Sequence, residues 1–232
     1  MPLILNIDTA TDYAGVCISS DDTILGITES ADQKNHASFI QPAIRALCEQ
    51  LSIKLSSIDA VAVTAGPGSY TGLRVGMATA KGICYALQKP LIQVGTLEVM
   101  AQGIIATSQP AVLHDALICP LIDARRMEVF TATYDAALNE ITAPRALIID
   151  EKSFFTELEK GPVFFCGSGA AKLKQVITHP HAQFPAQTHT VEHLAARALT
   201  AYQSNRFTDL AYSEPLYVKE FFTHAKIKSP HK

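Results

Sequence analysis

Val61-Ala62-Val63-Thr64-Ala65-Gly66-Pro67-Gly68-Ser69-Tyr70-Thr71-Gly72-Leu73-Arg74-Val75-Gly76-Met77-Ala78-Thr79-Ala80-Lys81 is the stretch that decides the fold. An apolar run from Ile58 to Val63, interrupted only by Asp59, suits a buried strand. The run breaks at Gly66-Pro67-Gly68 and resumes as a helical pattern that ends before Pro90. Strand, glycine turn and helix in that order bring backbone N–H groups to a helix N-terminus, an arrangement that accepts anions. Gly66, Gly68, Ser69, Thr71 and Gly72 are the candidate anion or nucleotide turn. The turn is neither common phosphate loop. Leu73-Arg74 follows the last glycine where a P-loop needs Lys and Ser or Thr, and the spacing is G-x-G-x-x-x-G where the dinucleotide fingerprint needs G-x-G-x-x-G. A tight turn without ligand explains the same glycines, so both readings stand.

The helix after the turn carries Gly72, Gly76 and Gly82, each costing about 1 kcal/mol relative to Ala, with Ala78, Ala80 and Ala86 beside them. Close packing has to offset that weakness. Arg74, Met77, Lys81, Tyr85 and Gln88 form a second, larger face at helical spacing. Either the small face meets its own sheet and the mixed face meets water, or one of them meets another chain.

Working outward, Leu3 to Asp8 reads as a strand ending in a carboxylate, followed by a turn at Thr9–Tyr13 and by strands over Ala14–Ser20 and Thr23–Glu29. Asp8 either anchors a polar cluster at a strand end or caps its own turn. A helix is expected over Ser38–Leu51, opened by a Ser38-x-x-Gln41 capping box with Pro42 in or just after its first turn. Its apolar stripe is Ile40, Ala43, Ile44, Leu47 and Leu51. Leu91–Val94 is a short strand, Thr96 opens a helix to Thr107, and Ser108-Gln109-Pro110 marks a boundary between domains 1–107 and 108–232.

The second half restarts like the first. Ala116–Asp123 is an apolar strand ending in Ile122-Asp123, echoing Ile7-Asp8, and Met127–Tyr134 follows as its partner. Weaker strands are expected at Glu140–Thr142 and Ala146–Ile149. Pro162–Cys166 then leads through Gly167-Ser168-Gly169 into a helix over Ala170–Ile177, a second strand–glycine–helix junction. Such an echo implies duplicated domains facing one another. Thr178–Thr190 reads as loop, its His179, His181 and His189 lacking carboxylates at metal spacing. A closing helix over 191–204 and an extended Glu214–Lys219 precede a tail in which four Lys outnumber Glu220, a net +3.

Composition sets the class. Of 232 residues 48% are hydrophobic and 18% charged, enough for a large core. A net charge of -3 argues against a dedicated nucleic-acid surface. Five scattered cysteines without a C-x-x-C pair are expected as buried free thiols. The N-terminus is too polar for a signal peptide and no apolar run reaches the roughly 18 residues of a membrane span, so a cytoplasmic, membrane-free protein is expected.

The string Thr64–Gly76, with Ile7-Asp8-Thr9-Ala10, Gly95-Thr96-Leu97-Glu98 and Pro215-Leu216-Tyr217-Val218-Lys219, resembles the TsaB (YeaZ) family. The resemblance covers most of the first domain and the last segment. It implies an α/β fold of two actin-like, ribonuclease-H-like domains of the ASKHA superfamily. It also implies a part in making N6-threonylcarbamoyladenosine at position 37 of ANN-decoding tRNAs. The related catalytic subunit, TsaD, carries a His-x-x-x-His metal pair just past the corresponding strand, where this chain reads Val94-Gly95-Thr96-Leu97-Glu98-Val99-Met100. Without those donors the resemblance implies a non-catalytic subunit with no metal site.

In that family the first helix and the helix after the glycine turn bind TsaD, which marks His36, Ile40, Ile44, Leu47, Tyr70, Arg74, Val75, Met77, Ala78 and Lys81 as interface candidates. The implied partners are TsaD, TsaE in a ternary complex, tRNA through the complex, and a second copy of the chain when TsaD is absent. No cofactor is expected to bind the isolated chain tightly, and ATP or ADP is expected only at a shared interface. Two enzyme readings compete: an ATP-dependent phosphotransferase built on Asp8, Asp123 and the two glycine turns, and a peptidase, for which no metal pair or nucleophile–base set is present.

Overall fold

The computed structural model describes residues 1–32, 36–186 and 189–219. The elements are β1 (Leu3–Asp8), β2 (Ala14–Ser20), β3 (Thr23–Ser30), α1 (His36–Leu51), β4 (Ala60–Thr64), α2 (Tyr70–Leu87), β5 (Leu91–Val94), α3 (Thr96–Thr107) and α4 (Pro110–Leu113). The second half continues with β6 (Leu117–Asp123), β7 (Glu128–Tyr134), β8 (Glu140–Ile148), α5 (Phe155–Lys160), β9 (Val163–Cys166), α6 (Ala170–Val176), β10 (Ala182–Gln183) and α7 (Val191–Gln203).

Two five-stranded sheets have the same order. The first is β3-β2-β1-β4-β5 and the second, read from the matching edge, is β8-β7-β6-β9-β10. In each, the strand that ends in aspartate is antiparallel to the next strand and parallel to the strand that enters the glycine turn. The echo of Ile7-Asp8 by Ile122-Asp123 is therefore a duplication of structure, and the fold is α/β with two mixed five-stranded sheets.

β1 and β4 are buried on both faces, which is why they read as near-continuous apolar runs. One face of the first sheet packs on α1 and α2 through Leu5, Ile7, Val61 and Val63 against Ile40, Ile44, Leu47 and Met77. Its other face, at Ile4, Ala60, Ala62 and Ile92, is covered by Leu194, Ala195 and Ala198 of α7. The second sheet packs on α3 through Ile118, Ile122 and Phe164 against Leu97, Met100 and Ile104. Its far face buries Phe154, Leu158, Leu173 and Ile177. A cut at 107/108 thus separates the sheets but not the helices: α3 serves the second sheet, and the closing helix α7 returns to the first.

Several boundaries differ from expectation. α1 begins at His36, so Ser38 lies inside the helix rather than ahead of it, and Pro42 sits within the helix. The two weak strands of the second half are one strand, β8, whose pairing with β7 shifts register around Thr133, where the pattern breaks. The two-residue β10 lies in the segment Thr178–Thr190 expected as loop. Thr96 is the first helical residue and Gly95 the cap. All five cysteines are free, four of them buried and Cys48 half-buried. The basic tail beyond Lys219 lies outside the described residues.

The glycines of α2 divide by role. A Cβ on Gly72 would fall within contact distance of the Thr9 carbonyl oxygen, and one on Gly76 would meet the Thr9 hydroxyl, whereas one on Gly82 meets nothing within 4 Å. The small residues of α2 therefore divide: Gly72, Gly76 and Ala80 pack within their own chain, while Ala78, Gly82 and Ala86 are exposed. Gly72→Ala is expected to cost about 1–3 kcal/mol, because the obstacle is backbone, while Gly82→Ala gains about 0.5–1 kcal/mol from helix propensity. Urea denaturation of both variants checks the opposite signs.

Candidate functional site

Both aspartate-ending strands and both glycine turns converge on a single cleft of about 1450 Å³ between the halves. Ala10–Tyr13 and Pro67–Thr71 line it from the first half; Ile122–Arg125 and Gly167-Ser168 line it from the second. Ligands of α/β sheets bind at such carboxyl ends of strands.

The carboxylate at the end of β1 does not reach that cleft. Asp8 is wholly buried and is absent from the lining. Its Oδ1 accepts from the Ala10 N–H at 3.1 Å and from the Thr64 hydroxyl at 2.9 Å. Its Oδ2 lies 3.2 Å from His189 Nε2, a close contact that is not aligned for a hydrogen bond. The His189 side chain is itself only 7% exposed. Burial alone pushes the Asp8 carboxyl up, but His189, the Ala10 amide and the Thr64 hydroxyl together hold it below its ordinary value. Tyr13 seals the arrangement, with its ring edge-on to His189 at 5.9 Å. Its hydroxyl donates to Glu29 Oε1 at 2.6 Å and accepts from the Val191 N–H at 3.0 Å. Burial and the Glu29 carboxylate push that phenol well up.

Asp123 repeats the local turn in the open. Its Oδ1 accepts from the Arg125 N–H at 2.6 Å and pairs with Lys172 Nζ at 2.6 Å, while its own N–H donates to Ser168 Oγ at 3.0 Å. The slight burial of Asp123 raises its carboxyl, and the Lys172 ammonium with the Arg125 amide more than offsets this, leaving it lowered. The two strand-end aspartates thus have different fates, one locked inside and one neutralised at the rim.

The glycine turn is used for packing. Gly66 has φ +109°, the left-handed region that only glycine adopts without strain. A Cβ on Gly68 would collide with the Ala10 carbonyl. The Ser69 N–H donates to that same carbonyl at 2.7 Å, and Ser69 Oγ caps α2 by accepting from the Gly72 N–H at 3.3 Å. Of the candidate anion turn, Gly68, Ser69 and Thr71 line the cleft and Gly66 and Gly72 do not.

The interface candidates divide as well. His36, Ile40, Ile44, Leu47 and Met77 are buried in the first half, because the apolar stripe of α1 and the sheet-facing side of α2 are core, so these side chains present nothing to a partner. Tyr70, Arg74 and Ala78 are exposed, and Val75 and Lys81 are half-buried. Arg74 stacks on the Tyr70 ring at 4.0 Å. The outward row of α1 is Gln41, Arg45 and Glu49, the last two paired at 2.8 Å. Sequence reading missed Tyr13, Thr64 and the pairing of His189, since 181 residues separate His189 from Asp8 and no local pattern joins them. Among the described residues no group of three His, Cys, Asp or Glu side chains is placed to hold a metal ion.

Comparison with known proteins follows the same frame. The family model described as "TsaD: tRNA N6-adenosine threonylcarbamoyltransferase" matches residues 18–228. The chain belongs to this family. Within it the chain is of the TsaB (YeaZ) type. It is 29% identical over 177 residues to the tRNA threonylcarbamoyladenosine biosynthesis protein TsaB of Bacillus subtilis, covering 75% of this chain and 74% of that one. It is 34% identical over 138 residues to TsaB of Escherichia coli, covering 60% of this chain and 57% of that one. The solved structure of YeaZ from Pseudomonas aeruginosa superposes with TM-score 0.81 at 23% identity, covering 94% of this chain and all of the other, a likeness of fold.

The Asp8 lock generates a pH-dependent expectation. His189→Ala leaves the buried Asp8 carboxylate without its imidazole neighbour at 3.2 Å, and the expected loss at pH 7 is about 1–3 kcal/mol. The Asp8 contribution is fully present above its ordinary value of 3.8 and is lost as pH falls through its lower folded value. The wild type and the variant should therefore converge in acid. Urea titrations at neutral and acid pH check this, and equal stability at pH 7 would show that the pair is no lock.

Proposed function

We propose that this chain is a non-catalytic, activating subunit in the synthesis of N6-threonylcarbamoyladenosine at position 37 of ANN-decoding tRNAs. It binds a TsaD-type catalytic subunit through α1 and α2, is joined by TsaE, and meets tRNA through the complex. The observation that carries this is the fate of Asp8: in a family whose model bears a transferase's name, the strand-end carboxylate is sealed beneath His189 and Tyr13. It cannot reach a substrate in the cleft without breaking three contacts.

The residues at the position of the related subunit's metal pair do not fit a metal. Val94–Met100 forms the end of β5 and the first turn of α3, with Leu97 and Val99 buried in apolar clusters. Peptidase chemistry has no donor set there. A phosphotransferase would need Asp8 free for its substrate, and Asp8 is held. We place ATP or ADP, where it takes part, at the interface of the assembled complex. The isolated glycine turn has its Ser69 amide already bonded to Ala10. Without its partner the chain pairs with a second copy through the same helices. Among the described residues no helix is long and apolar enough to cross a membrane, in keeping with work on cytoplasmic tRNA.

Reconstitution tests the reading. The chain alone is expected to form no modified nucleoside, and mass spectrometry of digested tRNA should detect product only when TsaD, TsaE and the threonylcarbamoyl-adenylate synthase are all present. Product in the absence of TsaD would sink the proposal. Ala78→Glu adds a charge to the exposed row of α2 without touching the core, and at an interface it is expected to weaken TsaD binding at least about tenfold by calorimetry, as burying an unpaired charge does. Unchanged affinity would move the contact elsewhere.

A further inference from the structure

Beyond α7 the chain runs as a strap over the first half, with a turn at Asp209–Ser213 closed by the Ser213 N–H to the Asp209 carbonyl. Its Thr208 N–H donates to the Leu91 carbonyl at 2.8 Å, extending the edge of β5. Lys81 Nζ on α2 donates to the Ser213 carbonyl at 2.9 Å, and Gln93 Nε2 donates to the Glu214 carbonyl at 3.1 Å. The Leu216 N–H then donates to the Ala65 carbonyl at 2.7 Å, beside the glycine turn. Arg74 Nε donates to the Tyr217 hydroxyl at 3.1 Å, and the Tyr217 ring lies 5.6 Å from that of Tyr70. Two residues later Lys219 Nζ reaches both carboxylate oxygens of Glu128, on β7 of the other half, at 3.0 and 2.8 Å. Leu216 to Lys219 line the cleft on the way.

The strap is seated unevenly. Leu210 packs against the first core and Ser213 is buried, whereas Leu216 and Tyr217 stay exposed. Among the described residues the far end is held by polar contacts of about 0.5–1.5 kcal/mol each and by the Tyr217–Tyr70 ring contact, holds of the size that local opening breaks.

We propose that residues 214–219 are a clasp across the mouth of the cleft, held closed jointly by Arg74 and Tyr70 of α2 and by Glu128 of β7. The two holds share one short segment, so releasing either loosens the other. The outer face of α2 and access to the cleft are thereby coupled: a molecule that takes Arg74 from Tyr217 opens the cleft, and a ligand that takes Lys219 from Glu128 frees Arg74. The clasp is built from contacts within this chain and stands or falls independently of the partner assignment.

The test uses the full isolated chain and reads each end while disturbing the other. Glu128→Gln removes the charge at the second-half end, and the readout is hydrogen exchange at the Leu216 amide. Arg74→Met removes the hold on α2, and the readout is the labelling rate of the Lys219 amine by an amine-reactive ester. Each is expected to rise about two- to fivefold, the size of one surface contact, with an unchanged melting temperature confirming the fold. Tyr217→Phe deletes only the acceptor oxygen and should act on Lys219 in the same direction as Arg74→Met. If Leu216 exchange ignores Glu128→Gln, or Lys219 labelling ignores both α2-side changes, the two ends are independent and the clasp is overturned.

Discussion

The structure depends on a backbone-to-backbone contact at the end of β1. The turn at Thr9-Ala10 is pressed against the start of α2 so closely that Gly68 and Gly72 have no room for a Cβ. Two hydrogen bonds fasten it, from the Thr9 hydroxyl to the Gly72 carbonyl at 2.8 Å and from the Ser69 N–H to the Ala10 carbonyl at 2.7 Å. This contact sets where α2 begins, which face it buries and how the glycine turn looks onto the cleft. It also turns the helix-weakening glycines into a requirement of packing, their lost propensity offset by close approach.

From that contact follows the chemistry that is withheld. Drawing the β1 turn against α2 carries Asp8 inward, beside Thr64 of the neighbouring strand, and the loop before α7 brings His189 to 3.2 Å from it. A buried carboxylate is tolerated only with such partners. Once it has them it is a structural group. Asp123, on the duplicate strand, stayed at the surface, held by Lys172 and the Arg125 N–H. The same local turn thus yields a lock in one half and a rim in the other.

Much of this was legible in the chain. The strand–glycine–helix order, the paired Ile-Asp strand ends and the small-residue face of α2 are local patterns, and they led to the duplicated α/β frame. Deciding the sign of a face was harder. Ile40, Ile44, Leu47 and Met77 recur at helical spacing whether they face a core or a partner, and only the position of the first sheet shows that they face the core. Equally invisible were the His189–Asp8 contact and the reach of Lys219 to Glu128, which join residues distant in sequence. The start of α1 was misjudged because Ser38 and Gln41 have capping chemistry, yet the helix already runs through them. For Gly66, Gly68 and Gly72, composition left packing and phosphate binding equally open, and the carbonyls of Thr9 and Ala10 show that packing accounts for Gly68 and Gly72.

The exchange of helices between the halves has a consequence for how the molecule is made. The first sheet is complete in sequence by Val94, yet one of its faces stays bare until α7, at residues 191–203, comes back to cover it. A nascent chain emerging from the ribosome therefore holds Ile4, Ala60, Ala62 and Ile92 uncovered while more than ninety further residues are added. Maturation of the N-terminal half therefore waits for the synthesis of α7, and the halves, though duplicates, are not separable modules.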